Sequence, residues 1–201
     1  MNIPDTTLGG SRNARVFAIT SGKGGVGKTS VAVNLSLALT KAGLKVLLID
    51  ADMGLANVDL MTGVSSSHTI EEVINGNASI FDALADGPEG LTLLSAGSGM
   101  GKMSDIGEGR AQHFRNELLK LEKAFDIIFI DTGAGISANV IDFVFMADEV
   151  IVIMTPEPTA FADAYAMVKV ASLEKPELGL GVIVNVTKNE KEALGIFRKF
   201  N

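Results

Sequence analysis

Eight consecutive residues, Gly22-Lys23-Gly24-Gly25-Val26-Gly27-Lys28-Thr29, restrict this chain more than any other feature of it. The glycines let a backbone curl with its N–H groups pointing inward, and a lysine and a hydroxyl then close the run. That is the pattern of a phosphate-binding loop, in which Lys28 reaches the outer phosphates and Thr29 offers its hydroxyl to magnesium. From the chain's own Gly, Lys and Ser/Thr frequencies, one chance match anywhere in the sequence has a probability of about two per cent. Such a loop works between a strand and a helix whose N-terminal dipole favours anions. Val16 to Ser21 reads as the strand, and Thr29 to Ala42, ended by Gly43, as the helix. The alternative, a Gly-rich turn that binds nothing, has no use for a lysine and a hydroxyl side by side.

The rest of the sequence repeats the strand, loop, helix order. Val16 to Ser21, Lys45 to Asp50, Leu91 to Ser95, Asp126 to Asp131, Glu149 to Met154 and Gly181 to Asn185 are short apolar runs bounded by Gly, Pro, Asp or Asn, which predicts six buried strands. Helices are expected over Thr29 to Ala42, Gly109 to Ala124, Ala138 to Phe145, Thr159 to Leu173 and Lys188 to Phe200. The expected class is therefore α/β, a mostly parallel sheet with helices on both faces and a ligand site at the carboxyl ends of its strands. With 201 residues, 47% of them apolar, one domain over residues 14–201 is expected, preceded by a flexible tail, residues 1–13, with little to bury.

A formal charge of −7 argues against a whole-surface footprint for nucleic acid. The absence of cysteine excludes disulfides, cysteine-ligated zinc and iron–sulfur clusters, so electron-transfer chemistry through a bridging cluster is out. No stretch approaches the roughly 18 apolar residues of a spanning helix and the start is polar, which gives a cytoplasmic expectation. His68 and His113 have no nucleophile or ligand context, and Met53, Met61, Met100 and Met103 read as gap-fillers or, for the first two, as part of a partner surface.

Asp50 and Asp52 follow a strand that ends near the phosphate site, so each is a candidate ligand for magnesium or water, with helix or turn capping as the alternative. Asp131 closes the apolar run Ile127 to Ile130, where a carboxylate would hold magnesium through water. Gly133 and Gly135 beside it would let the backbone approach a γ-phosphate, or form a plain turn.

Lys23, a second lysine inside the loop, carries a resemblance. The stretch KGGVGKT is similar to the deviant Walker A motif of the MinD/ParA family of P-loop ATPases; DADMGLANVDLMTG (Asp50 to Gly63) and DTGAGIS (Asp131 to Ser137) look like that family's two switches. The resemblance implies ATP and magnesium as ligands, hydrolysis of ATP, and a homodimer in which Lys23 touches the partner's phosphates. It implies Lys23, Lys28 and Asp52 as the catalytic set, Asp52 orienting the attacking water. It places residues Gly22, Lys23, Gly24, Gly25, Val26, Gly27, Lys28, Thr29 and Ser30 around the phosphates. Asn185 resembles the family's adenine contact, with a plain chain turn at the strand end as the alternative; Glu157, between Pro156 and Pro158, is expected to face the nucleotide or the partner copy, or else solvent; and Thr29, Asp50 and Asp131 are the expected metal set.

GLANVDLMTG, LLSAGSGM (Leu93 to Met100) and TPEPTAFADAYAMVK (Thr155 to Lys169) resemble the family's flagellar number-regulator branch, the FlhG or FleN type. That branch implies the GTPase FlhF as a partner, although IPDTTLGGSRNAR lacks the Gln- and Leu-bearing helix that stimulates it. Division-site regulation, DNA segregation and an idle nucleotide-binding scaffold are the alternative functions. Family members also continue into a basic amphipathic membrane helix. The last stretch, Lys188 to Asn201, is read here as a helix covering the sheet, so membrane contact is expected only of a longer chain.

Overall fold

Strands that are apolar on both faces need cover on two sides, and the sequence supplies it with Ala- and Leu-rich helices between them. The computed structural model describes residues 14–52, 57–96 and 107–200. In chain order its elements are β1 (Arg15–Ser21), α1 (Lys28–Lys41), β2 (Val46–Ala51), α2 (Asn57–Thr62), α3 (Ile70–Ile74), β3 (Leu84–Asp86), β4 (Thr92–Leu94), α4 (Glu108–Leu121), β5 (Ile127–Ala134), α5 (Ala138–Val144), β6 (Glu149–Met154), α6 (Pro158–Glu174), β7 (Gly179–Val184) and α7 (Glu190–Phe200). The strands form one sheet in the order β3-β4-β2-β5-β1-β6-β7. Every neighbouring pair is parallel except β3 with β4.

Alternation along the strands sorts side chains onto two faces. Ile19, Leu48, Phe129 and Ile153 share one buried cluster with Ala32 and Val33 of α1. Ala18, Leu47, Ile49, Ile130 and Val152 share the other with Phe114 of α4, Phe143 of α5 and Met167 of α6. The fold is thus α/β with helices on both faces of a mostly parallel sheet. Phe114 and Phe143 meet edge to face at 5.9 Å between centroids, which fastens α4 to α5.

All six expected strands form, and β3 is an addition: three residues at the sheet edge, none of them buried, in a stretch that offers no alternation to read. Helices α2 and α3 were also not expected, since six and five residues are too few to display a 3.6-residue period. The signal for α3 lay elsewhere, in the capping box formed by Thr69 and Glu72. Helix α7 lies on β7 with Ile196 and Phe200 packed partly into the core, and Phe200 stands edge-on to Phe161 and Tyr165. It covers the sheet end, as its place in the order of elements predicts. Among the described residues no helix is long and apolar enough to cross a membrane. The tail, Met53, Met100 and Met103 lie outside the described residues, and Met61 is half-exposed on α2.

Candidate functional site

The sheet order puts β1 between β5 and β6, so the loop leaving β1 emerges mid-sheet at the carboxyl edge. Val26 is buried in the core and anchors that loop. Gly27 then takes a left-handed conformation, φ 88°, to enter α1. The first turn of α1 holds no acidic residue and Gly27 gives no side-chain cap, so its N-terminal N–H groups are left for an anion. A cleft of about 290 Å³ opens there, lined by Ser21, Gly24, Gly25, Gly27, Lys28, Thr29, Ser30, Asp52, Asn57 and Ala134.

Two glycines of the loop differ in what surrounds them. A Cβ on Gly22 would lie 2.2 Å from the backbone carbonyl carbon of Asp163, because the loop starts hard against α6. A Cβ on Gly24 would meet nothing within 4 Å. Gly22→Ala should therefore destabilise the fold by about 1–3 kcal/mol through overpacking against a backbone that cannot yield cheaply, while Gly24→Ala should stay within about 0.5 kcal/mol of the unsubstituted protein. Urea denaturation of both variants checks this; equal stabilities would contradict the close approach.

Lys28, which lines the cleft, meets the fully buried Asp131. The Lys28 Nζ donates to Asp131 Oδ1 at 2.8 Å, with side chains 8% and 0% exposed. The Thr29 hydroxyl lies on the same carboxyl and favours its ionised form. Burial pushes the Asp131 carboxyl above its ordinary range, and Lys28 and Thr29 pull it back down. Asp131 Oδ2 is buried without a hydrogen-bond partner. An orphaned carboxylate oxygen beside a hydroxyl is a hard-oxygen set that fits magnesium, which favours one or two carboxylates, water and substrate phosphates. Among the described residues no three His, Asp or Glu side chains converge on a metal position, so the phosphates would have to complete its shell.

Asp50 is placed differently from Asp131, although the two pair across β2 and β5. Its Oδ1 accepts the Asp52 N–H at 3.1 Å and its Oδ2 the Val58 N–H at 3.2 Å, so both oxygens face backbone rather than the cleft. This is the capping geometry; Asp50 does not line the cleft. Burial, opposed by those two N–H groups, pushes its carboxyl up to about 7. Asp52 does line the cleft, with Oδ1 3.9 Å from where a Cβ on Gly133 would stand. The two switch-like stretches thus meet at Asp52 and Gly133.

Lys23 and Glu157 pair with one another. Lys23 Nζ lies 2.6 Å from Glu157 Oε2 and 3.4 Å from Thr159 Oγ1, on an exposed rim. An exposed pair of this kind contributes only about 0–1 kcal/mol, so the ammonium is readily exchanged onto another anion. Asn185 lies 2.9 Å, through Nδ2, from the Val26 carbonyl. A Cβ on Gly27 would come within 2.4 Å of the same Nδ2. Asn185 therefore clamps the phosphate loop, an attachment no sequence pattern announced. Asn57, also unforeseen, lines the cleft from the start of α2; the switch-like stretch that contains it was the available signal.

The sequence profile of a family described as an AAA domain matches residues 14–176. The chain is 36% identical over 192 residues to the antiactivator FleN of Pseudomonas aeruginosa, covering 96% of this chain and 69% of that protein. It is 38% identical over 202 aligned positions to the flagellum site-determining protein YlxH of Helicobacter pylori, covering 99% and 68%. Among solved structures, the septum site-determining protein MinD of Pyrococcus horikoshii, complexed with Mg-ADP, matches with a TM-score of 0.76 at 28% identity, over 91% of this chain and 77% of that one. Likeness in sequence and in fold over nearly its whole length shows that this chain belongs to the MinD/ParA family of deviant Walker A P-loop ATPases.

Proposed function

We propose that the chain is an ATP-driven switch controlling the number or placement of a cellular structure, flagella in the first instance. ATP with magnesium brings two copies together, the pair engages a regulatory partner, and hydrolysis to ADP and phosphate releases it. The observation that carries this is the buried Lys28–Asp131 pair beside Thr29 under a glycine loop, with a second lysine, Lys23, on the rim in an exposed pair that it can exchange. The relatives named as a flagellar site determinant and an antiactivator favour the flagellar task. Likeness to MinD favours division-site control as the second reading.

In the reaction a water oxygen bonds to the γ-phosphorus as the bond to the β–γ bridging oxygen breaks, giving ADP and inorganic phosphate. Lys28 and the N-terminal N–H groups of α1 balance the charge on the phosphate oxygens, and Asp52 holds the water in line. Thr29 and Asp131 would hold magnesium, which would supply further neutralisation of the phosphates. Lys23 leaves Glu157 for the phosphates of the partner copy, which makes each site incomplete alone.

Phosphate release per chain should therefore rise with protein concentration as the dimer fills. Lys23→Ala should flatten that dependence and lower turnover about tenfold or more, the scale of one lost charge-assisted contact. Turnover that is independent of concentration in both proteins would sink the shared-site reading.

A further inference from the structure

Asp50 is fully buried one residue before the end of β2, and its two oxygens hold N–H groups six residues apart. One of these belongs to Asp52, the first residue past the strand; the other belongs to Val58, which is buried on α2 in the core beneath α1. We infer that Asp50 is a positioning residue for hydrolysis: its carboxylate ties the point where the chain leaves β2 to the point where α2 begins, and so fixes the direction in which Asp52 enters the cleft. The inference rests on the reading of Asp52 as the group that orients water.

The geometry separates this role from metal binding. Both Asp50 oxygens already accept from backbone, whereas Asp131 keeps an oxygen without a partner. An amide at position 50 keeps one acceptor but turns a donor toward the other N–H, so one of the two ties is lost and a like-signed dipole takes its place.

Asp50→Asn, assayed at pH 8 with ATP and magnesium, should lower kcat at least about tenfold, since a small misplacement of an orienting group costs rate. ATP affinity by calorimetry should stay within about threefold, and the magnesium concentration for half-maximal turnover should not move, because the groups that hold the phosphates are untouched. The discriminating arm is the double variant: in an Asp52→Ala background the Asp50→Asn change should cost no further rate, as two residues acting through one contact are not additive. A raised magnesium requirement would overturn the inference in favour of a metal ligand. So would unchanged turnover, or a full additional loss in the double variant. If Asp52→Ala alone leaves hydrolysis intact, the reading of Asp52 fails and takes this inference with it, a pattern distinct from normal loss in Asp52→Ala with normal turnover in Asp50→Asn. Should Asp50→Asn not fold, amide exchange in the unsubstituted protein decides: the Asp52 and Val58 N–H groups should be protected, and fast exchange at both would overturn the tie.

Discussion

Replacing Lys28 by Ala should weaken ATP binding at least about a hundredfold, because two charge-assisted hydrogen bonds to phosphate, worth about 1.5–3 kcal/mol each, are removed together. Titration calorimetry with ATP and magnesium measures the loss, and unchanged affinity in a folded variant would mean that the loop is not the site. The structure adds a second consequence that the motif alone does not carry. Lys28 is the cation beside Asp131, whose carboxyl burial already pushes upward. Without the ammonium that pKa rises further. A carboxyl whose folded pKa lies above its unfolded value contributes stability that is complete below the unfolded pKa and is lost as pH rises through the folded pKa. The stability deficit of the variant against the unsubstituted protein should therefore grow as pH rises above the ordinary carboxylate range, measured by urea denaturation at several pH values. A deficit that does not change with pH would mean that the pair is not coupled as described.

Asp52→Ala should do the reverse to binding and chemistry: ATP affinity retained, single-turnover hydrolysis slower by about a hundredfold. Asp52 lines the cleft beside Gly133 but makes no part of the Lys28–Asp131 pair, so the phosphate grip survives its loss. The ATP-bound pair should accumulate, because its dissolution depends on hydrolysis. Quench-flow measurement with labelled ATP gives the rate, and a variant that hydrolyses normally would remove Asp52 from the mechanism.

The parts of this site that were legible in the sequence are those whose local chemistry is self-sufficient. Gly22 to Thr29 states its own conformation, and continuous apolar strands such as Ile127 to Ile130 state their burial and place Asp131 at a strand end. What was not legible depends on residues far apart in the chain. The Asn185 clamp joins side chain to loop across 159 positions, and the Lys23–Glu157 pair spans 134. The need for Gly22 comes from the backbone of α6 at Asp163, not from the phosphate. Asp50 and Asp52 look equivalent in the sequence; only the chain's return at Val58 turns one carboxylate toward backbone and leaves the other at the cleft. Short elements were missed for a simpler reason, since β3 and α3 span less than two full periods of the pattern that would reveal them.

The central claim, that nucleotide state sets the association of two copies, is tested most directly by light scattering on the unsubstituted chain with magnesium and either ATP or ADP. The account predicts a mass near twice that of one chain shortly after ATP is added, decaying to that of a single chain as ADP replaces it, with ADP alone giving the single-chain mass throughout. The same mass in ATP and in ADP, at concentrations where both nucleotides are shown to be bound, would contradict it.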